Sequence, residues 1–204
     1  MKIAVVGGTG DFGANLAARL VEAGQDVVVG SRDAERAQAA AAEIGARGAT
    51  NAEAVDGVDL VVLAVKAEAA LSTAADLAAA IGAPVLSVAS ELRFTKAGVF
   101  PGGDERSLAE RTQELLDAPV AAGLHSLAAA TLAGGRADGD ALVCGDDADA
   151  KQRALELAAL VVTGRALDAG PLASARALEG LTAVIVNLNK RYRAHAGVRV
   201  TGLS

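Results

Sequence analysis

The sequence is short of cysteine, aromatics and positive charge, and each shortage removes a class of protein. One cysteine, Cys144, in 204 residues excludes an intrachain disulfide and a cysteine-built metal cluster, which suits a reducing compartment. Its expected place is the core, as a small apolar side chain. There is no tryptophan, and aromatic residues make up 2% of the chain against 52% hydrophobic residues overall. The apolar mass is therefore Ala, Val and Leu, a composition suited to helices packed closely on a sheet. A net charge of -6 argues against a nucleic-acid partner, whose contact face needs a basic balance. No apolar run reaches the roughly 18 uninterrupted residues of a spanning helix, so no membrane partner is expected. Residues 1–6 read as a short strand rather than as the start of an export signal, and a cytoplasmic location is expected.

What is present is alternation. β-branched runs at 3–6, 26–29, 59–65, 84–88 and 119–122 are separated by alanine-rich helical stretches. Continuous apolar runs fit strands covered on both faces, so the predicted class is α/β, a Rossmann-type doubly wound and mostly parallel sheet. Two further short strands are expected at 141–144 and 165–168, flanking a helix that starts near Asp147. Asp146, Asp147 and Asp149 then form the acidic start of that helix, and no metal is predicted. Gly170-Pro171 breaks the chain before a helical pattern over 172–196, with Leu178, Leu181, Ile185 and Leu188 as its apolar positions. The length fits one core, organised as a main Rossmann-type domain over 1–168 and a small helical C-terminal extension over 169–204. The apolar face of that extension would be exposed on a small sheet domain. It is therefore expected to complete a substrate pocket or to join two subunits as a homodimer. Residues 134–140 read as a flexible surface loop.

The first strand runs into Gly7-Gly8-Thr9-Gly10-Asp11-Phe12-Gly13 and an amphipathic helix ending near Gly24. In this order of strand, glycine turn and helix, Gly8 permits the tight turn, Gly10 lets backbone approach a pyrophosphate, and Gly13 lets the helix pack on the strand. The phosphates of a dinucleotide then meet free amides and the positive dipole end of the helix. The end of the second strand selects the dinucleotide. NAD enzymes usually place an acid there to bind the ribose hydroxyls, and this chain reads Val29-Gly30-Ser31-Arg32-Asp33 with Arg36 one turn beyond Arg32. A hydroxyl and two guanidiniums would converge on a 2'-phosphate, which favours NADP(H). Ser31 could instead cap the next helix and leave the arginines solvated. Val65 and Ala89, at the ends of the third and fourth predicted strands, complete the expected cofactor set.

The glycines also fit the spacing Gly7, Gly10, Gly13 of short-chain dehydrogenases and their non-catalytic sensor relatives. Those enzymes need a tyrosine followed four residues later by a lysine that lowers its pKa. The one tyrosine, Tyr192, has Ala196 in that place, so this chemistry is absent.

With these residues the chain resembles the NADPH-dependent reductases of coenzyme F420, a deazaflavin. The resemblance is carried by Gly7 to Gly13, by Val29-Gly30-Ser31-Arg32 with Arg36, and by the C-terminal half from Cys144-Gly145-Asp146-Asp147 through Leu167-Asp168-Ala169-Gly170-Pro171-Leu172. It continues into Asn189-Lys190-Arg191-Tyr192-Arg193-Ala194-His195-Ala196-Gly197. The resemblance implies that Thr9, Gly10, Asp11 and Phe12 hold the pyrophosphate while Ser31, Arg32 and Arg36 hold the 2'-phosphate. It also implies direct hydride transfer between NADP(H) and coenzyme F420, in which the protein orients two cofactors and supplies no catalytic acid or base. The family usually has a proline-tryptophan pair where this chain has Lys66-Ala67, and Asn-Pro-Leu where it has Ser90-Glu91-Leu92. Both differences fall near the expected deazaflavin pocket, where losing an aromatic and a rigid proline would loosen the wall. Another flavin, an imine or a carbonyl compound stays open as second substrate, as does a non-catalytic NADP(H)-sensing role.

Two further features bear on that substrate. His125 follows an apolar strand at its carboxyl end, where open α/β sheets bind ligands and where the family has a histidine, so it is a pocket candidate beside the reading of a structural histidine. Lys190, Arg191, Arg193, His195 and Arg199 form a concentrated basic patch. Arg191 and Arg193 are the candidates for gripping the phosphodiester and glutamate tail of coenzyme F420; the alternative is a solvated helix end whose cations favour the helix dipole.

Overall fold

Burial on both faces decides where the strands form. In the computed structural model, which describes residues 1–203, the chain begins β1 (Lys2–Val6), α1 (Asp11–Glu22), β2 (Asp26–Ser31), α2 (Ala34–Ile44), β3 (Arg47–Thr50), α3 (Asn51–Ala54), β4 (Leu60–Leu63), α4 (Ala67–Leu77) and β5 (Val85–Ser87). A hairpin of β6 (Leu92–Thr95) and β7 (Gly98–Pro101) follows. The remainder is α5 (Leu108–Gln113), β8 (Val120–Gly123), α6 (Ala129–Ala133), β9 (Ala141–Gly145), α7 (Ala148–Val161), β10 (Ala166–Asp168) and α8 (Ala175–Tyr192).

Eight strands make one sheet in the order β10-β9-β8-β5-β4-β1-β2-β3. The six from β3 to β8 are parallel, and β9 pairs antiparallel with β8 before β10 returns parallel to β9. The mostly parallel, doubly wound sheet read from the sequence is the one that forms. Val5 sits level with Val29 on β2 and Val62 on β4, and successive residues of β1 point to opposite cores. Ile3 and Val5 join Leu16 and Leu20 of α1 and Leu157 of α7, while Ala4 and Val6 join Ala74 and Leu77 of α4 and Leu178 of α8. Each fully buried leucine contributes roughly 1.5–3 kcal/mol by leaving water, and aliphatic side chains fill both layers.

Three features escape the periodicity. β3 holds one buried apolar residue, Ala49, and forms at the sheet edge, where polar side chains meet water. It lies against α2 because Gly48 has no side chain: a Cβ there would sit 2.4 Å from the Ala37 carbonyl oxygen. The β6–β7 hairpin packs against α8, where Asn187 accepts from the Val99 amide at 2.9 Å and donates to its carbonyl at 2.7 Å. The helical pattern expected over 172–196 is shorter: a 3-10 turn (Leu172–Ser174) precedes α8, and Arg193 ends it in the left-handed region at φ 52°.

The stretch 134–140, expected to be a flexible surface loop, is instead a clasp. Ala137, Gly139 and Asp140 are buried. The Asp140 carboxylate accepts from the Arg165 amide at 2.8 Å, from the Arg165 guanidinium at 2.9 Å and from the Val200 amide at 2.9 Å, and the Asp140 amide donates to Val198. These donors, the arginine first, hold its carboxyl well below the usual range. The chain after α8 is thereby tied to the start of β9, a long-range contact that local composition does not encode.

Glu179 fixes the other side of α8. It is buried, and its Oε1 accepts from the amides of Leu108 and Ala109 at the start of α5, at 2.7 and 3.4 Å. Burial pushes its pKa from 4.5 up to about 7, opposed by those two amides and by Arg176 and Arg111. The folded chain therefore takes up a proton that the unfolded chain releases, and the stability so gained is present below about pH 4.5 and is lost as pH rises through about 7. Glu179→Gln keeps the acceptor and removes the titration. The thermal midpoint of the variant is expected to gain on that of the unsubstituted chain between about pH 5 and about pH 8; a difference independent of pH would refute this assignment.

Candidate functional site

The parallel strands end along one edge of the sheet, and the direction of winding reverses between β1 and β4. Ligands of open α/β sheets bind in the crevice at such a switch point. Two cavities open there, and they share Val65 and Lys66.

The larger is a cleft of about 470 Å³ that runs from Gly7, Thr9 and Gly10 to Ser31, Arg32 and Arg36, with α4 as its opposite wall. Gly7 makes the turn, with φ 79° and no room for a Cβ, which would lie 2.8 Å from the Ala64 carbonyl oxygen. The turn thus corrects the assignment of that role to Gly8. A Cβ on Gly8 would lie 2.8 Å from the Val5 carbonyl oxygen, so Gly8 is needed for close approach instead. Gly13 lets α1 meet the loop, since a Cβ there would sit 2.5 Å from the Gly7 carbonyl oxygen. The amides of Gly7 and Gly8 both donate to the Gly30 carbonyl, at 3.1 and 3.0 Å, and tie the loop to the end of β2. Gly10 precedes α1 with extended backbone, and a Cβ on it would meet only the Gly7 carbonyl oxygen at 3.5 Å. The first-turn amides of Asp11, Phe12 and Gly13 have no acceptor within the helix. Open backbone, free amides and a helix N-terminus fit a pyrophosphate.

At the end of β2 the helix cap is Asp33, whose carboxylate accepts from the Arg36 amide at 3.2 Å. Ser31 is not the cap. Its Oγ accepts from the Asp33 amide at 3.3 Å, and it stays 8% exposed on the cleft wall. The Arg36 guanidinium reaches back to the Thr9 carbonyl at 3.5 Å, so it spans from α2 to the glycine loop. A hydroxyl and two solvent-facing guanidiniums are the donor set that a 2'-phosphate requires. Asn51 also lines the cleft and escaped the sequence reading because β3, which it follows, has no apolar signature. Its Oδ1 is buried without a partner among the described residues, in space that Gly30 leaves by having no side chain.

The smaller cavity, about 240 Å³, is walled by Phe12, Val65, Ala89, Leu92, Leu124 and Leu127, with polar groups from Lys66, Ser90, His125 and Thr182. The structure therefore divides the expected cofactor residues: Phe12 and Ala89 line this cavity rather than the cleft, and Val65 lines both. Gly8 and Gly13 shape the loop without lining either, and the exposed side chain of Asp11 lines neither.

His125 enters this pocket from the end of β8 after Leu124, which sits at φ 64°, a conformation costing a non-glycine residue of order 1–3 kcal/mol. The turn is held by two bonds. Leu127 donates to the Leu124 carbonyl at 2.9 Å, and the Thr182 hydroxyl of α8 donates to the His125 carbonyl at 2.8 Å. With its proton so placed, Thr182 accepts from Ser90 Oγ, 2.8 Å away. His125 is 5% exposed, and neither ring nitrogen meets hydrogen-bond geometry with a partner among the described residues. Burial lowers its pKa to about 4, against the nearby Ala89 backbone, which favours the charged form. The ring is thus neutral at physiological pH, with one donor and one acceptor available to a ligand.

The segments that differ from the resembled family are accommodated. Ser90 is used by Thr182, Leu92 lines the pocket, and Glu91 turns away to Arg111 at 2.9 Å. Lys66 precedes α4 at the junction of the two cavities. Thr182 and Ser90 could not be found from sequence, because their pairing joins positions 92 residues apart. Arg191 and Arg193 are exposed and line neither cavity. Cys144 is buried, and burial pushes its thiol up to about 12. No helix among the described residues is long and apolar enough to cross a membrane.

Residues 2–91 match the family model for coenzyme F420-dependent NADP oxidoreductases. F420-dependent NADP reductases of Methanothermobacter marburgensis and Methanothermobacter thermautotrophicus are each 37% identical to the chain, covering 100% of it and 99% and 96% of the relatives. The crystal structure of a candidate F420-dependent NADP reductase from Arthrobacter sp. FB24 superposes with a TM-score of 0.82 at 27% identity, covering 100% of both chains.

The chain has two histidines, so its imidazole NMR signals are few enough to follow singly. One signal, absent in His125→Gln, is expected to keep its neutral-ring shift down to about pH 5. Titration of that signal near pH 6.5 would contradict the buried, unpartnered ring.

Proposed function

We propose that this chain, which belongs to the coenzyme F420-dependent NADP oxidoreductase family, moves a hydride between NADP(H) and coenzyme F420. The observation that carries the reading is the pair of cavities meeting at Val65 and Lys66. One has the donors for a 2'-phosphorylated dinucleotide, and the other is a mostly apolar pocket suited to a flat conjugated ring.

In this reading Thr9, Gly10, and the amides of Asp11 and Phe12 hold the pyrophosphate, over the turn that Gly7 makes and the close approach that Gly8 and Gly13 allow. Ser31, Arg32 and Arg36 hold the 2'-phosphate. The bound cofactors supply the redox chemistry, and the protein supplies position: no catalytic acid or base is assigned. Val65 and Ala89 would lie against the bound rings, and Phe12, Leu92, Leu124 and Leu127 would keep water from them. His125, neutral and fixed by Thr182, offers its free ring nitrogens to the polar edge of the second ring.

The test is NADPH oxidation by the purified chain with coenzyme F420, with a riboflavin-based cofactor and with no acceptor. Turnover is expected with the deazaflavin; tight NADPH binding with no such turnover rejects the proposal. Arg32→Ala is expected to raise the Kd for NADPH by about 10- to 100-fold, the loss of a charge-assisted pair, and to leave weaker NADH binding nearly unchanged. Equal effects on both nucleotides would overturn the 2'-phosphate assignment.

Residues 1–168 are proposed to act as the NADP-binding unit, with 169–204 completing the second pocket and forming a two-fold homodimer in a reducing cytoplasm. Support for the dimer is the stripe Leu181, Val184, Leu188 and Tyr192 at helical spacing on α8, of which the last three are exposed. Val184→Glu with Leu188→Glu should convert the dimer mass in light scattering to the monomer mass, and a monomeric unsubstituted chain would end the proposal.

A further inference from the structure

Lys66 lines both cavities, and it stands where the resembled family usually has proline. It is the N-cap of α4, with extended backbone at φ -63° and ψ 150°, and its exposed side chain forms no ion pair among the described residues. No side chain caps this helix of 11 residues, so the amides of Ala67 and Glu68 lack an acceptor within it, and the positive end of its dipole lies beside the lysine. No carboxylate among the described residues lines the second pocket. Glu91, next to Ser90 in its wall, turns away to Arg111, and Glu68 and Asp76 line the cleft but not the junction.

The order of the sheet says which part of a dinucleotide meets this lysine. The glycine loop follows β1, which has β2 on one side and β4 on the other. With the pyrophosphate on the loop and the 2'-phosphate at Ser31 and Arg32 on the β2 side, the nicotinamide half is sent to the β4 side, where Val65 and Lys66 lie just past Leu63. Loss of a hydride turns that ring from neutral to cationic, while the phosphates and the adenosine stay as they were. The ammonium of Lys66 and the start of α4 therefore repel the oxidised ring and are indifferent to the reduced one. Glu68 acts in the opposite sense, from the cleft side only.

We propose that Lys66 is a specificity-determining residue for the oxidation state of the dinucleotide: it makes the chain hold NADPH more tightly than NADP+, and so fits it to consume NADPH and release NADP+ rather than the reverse. This rests on the reading of the cleft as the NADP(H) site and adds a direction to it. The equilibrium between the two cofactors is their own; the lysine sets which form of the dinucleotide occupies the cleft when both are present. A proline at this position carries no charge, so the bias belongs to this chain rather than to the resemblance. Because the ammonium is exposed, the preference is modest and fades as salt rises.

The experiment measures, by titration calorimetry at low salt, the Kd of the full chain for NADPH, for NADP+ and for 2',5'-ADP, which has the adenosine half and its 2'-phosphate but no nicotinamide. The protein is unsubstituted or carries Lys66→Gln or Lys66→Arg. The unsubstituted chain should bind NADPH about fivefold more tightly than NADP+, the size of one exposed charge interaction. Lys66→Gln should lose that preference by gaining affinity for NADP+, Lys66→Arg should keep it, and the Kd for 2',5'-ADP should be the same in all three. Equal affinity for the two redox forms in the unsubstituted chain, or a preference that survives Lys66→Gln, overturns the proposal and leaves the cleft assignment intact. Weaker binding of 2',5'-ADP by Lys66→Gln would make the lysine a phosphate contact and overturns it as well. If none of the three nucleotides binds the unsubstituted chain, the reading of the cleft falls with it.

Discussion

The structure depends on the approach of α1 to the end of β1 at a distance that no side chain permits. Gly7, Gly8 and Gly13 meet carbonyl oxygens at separations where a Cβ would collide. Their absence of side chains brings the helix N-terminus, with its free amides, to the switch point of the sheet. Everything proposed for the dinucleotide follows from that contact. The Gly30 carbonyl receives both loop amides, so the end of β2, and with it Ser31 and Arg32, is held in fixed relation to the loop.

The second pocket has a different origin. It is assembled from Phe12 of α1, the segments after β4, β5 and β8, Leu92 of β6 and Thr182 of α8. Two buried carboxylates secure the docking of α8 from opposite sides. Glu179 caps α5 from within α8, and Asp140 receives the chain after the helix. Both are deep and both have donors, but they are tuned in opposite directions. Asp140 has a guanidinium and two amides and stays ionised, whereas Glu179 has two amides on one oxygen and more distant arginines, and burial prevails. Thr182, between these anchors, meets the carbonyl of His125. The strained Leu124 turn is thus over-determined by tertiary contacts, the condition under which such strain persists.

Charge is distributed by the same logic. A chain of net charge -6 places cations along the site of its proposed anionic dinucleotide, Arg32 and Arg36 on the cleft and Lys66 at the junction of the two cavities. The rest of the acidic surface repels such ligands, which favours arrival at these places.

The strand-helix alternation, the glycine loop and the Ser31-Arg32 end of β2 were legible because each is written in consecutive residues: burial on both faces demands unbroken apolar runs, and a helix that closes on the preceding strand demands glycine at fixed offsets. Even there, local spacing misassigned the turn to Gly8, since only φ distinguishes a residue that bends the chain from one that merely clears space. The tertiary structure alone decided that 134–140 is a clasp, that β3 and the hairpin form, and that Phe12 and Ala89 belong to the second cavity. Each depends on a partner far away in sequence, Asp140 on Val200, Gly48 on Ala37's helix, Asn187 on Val99, Thr182 on Ser90 and His125. Sequence determines what is paid for locally, in backbone conformation and one-sided burial; the meeting of distant polar groups is set by how the packed layers come to rest.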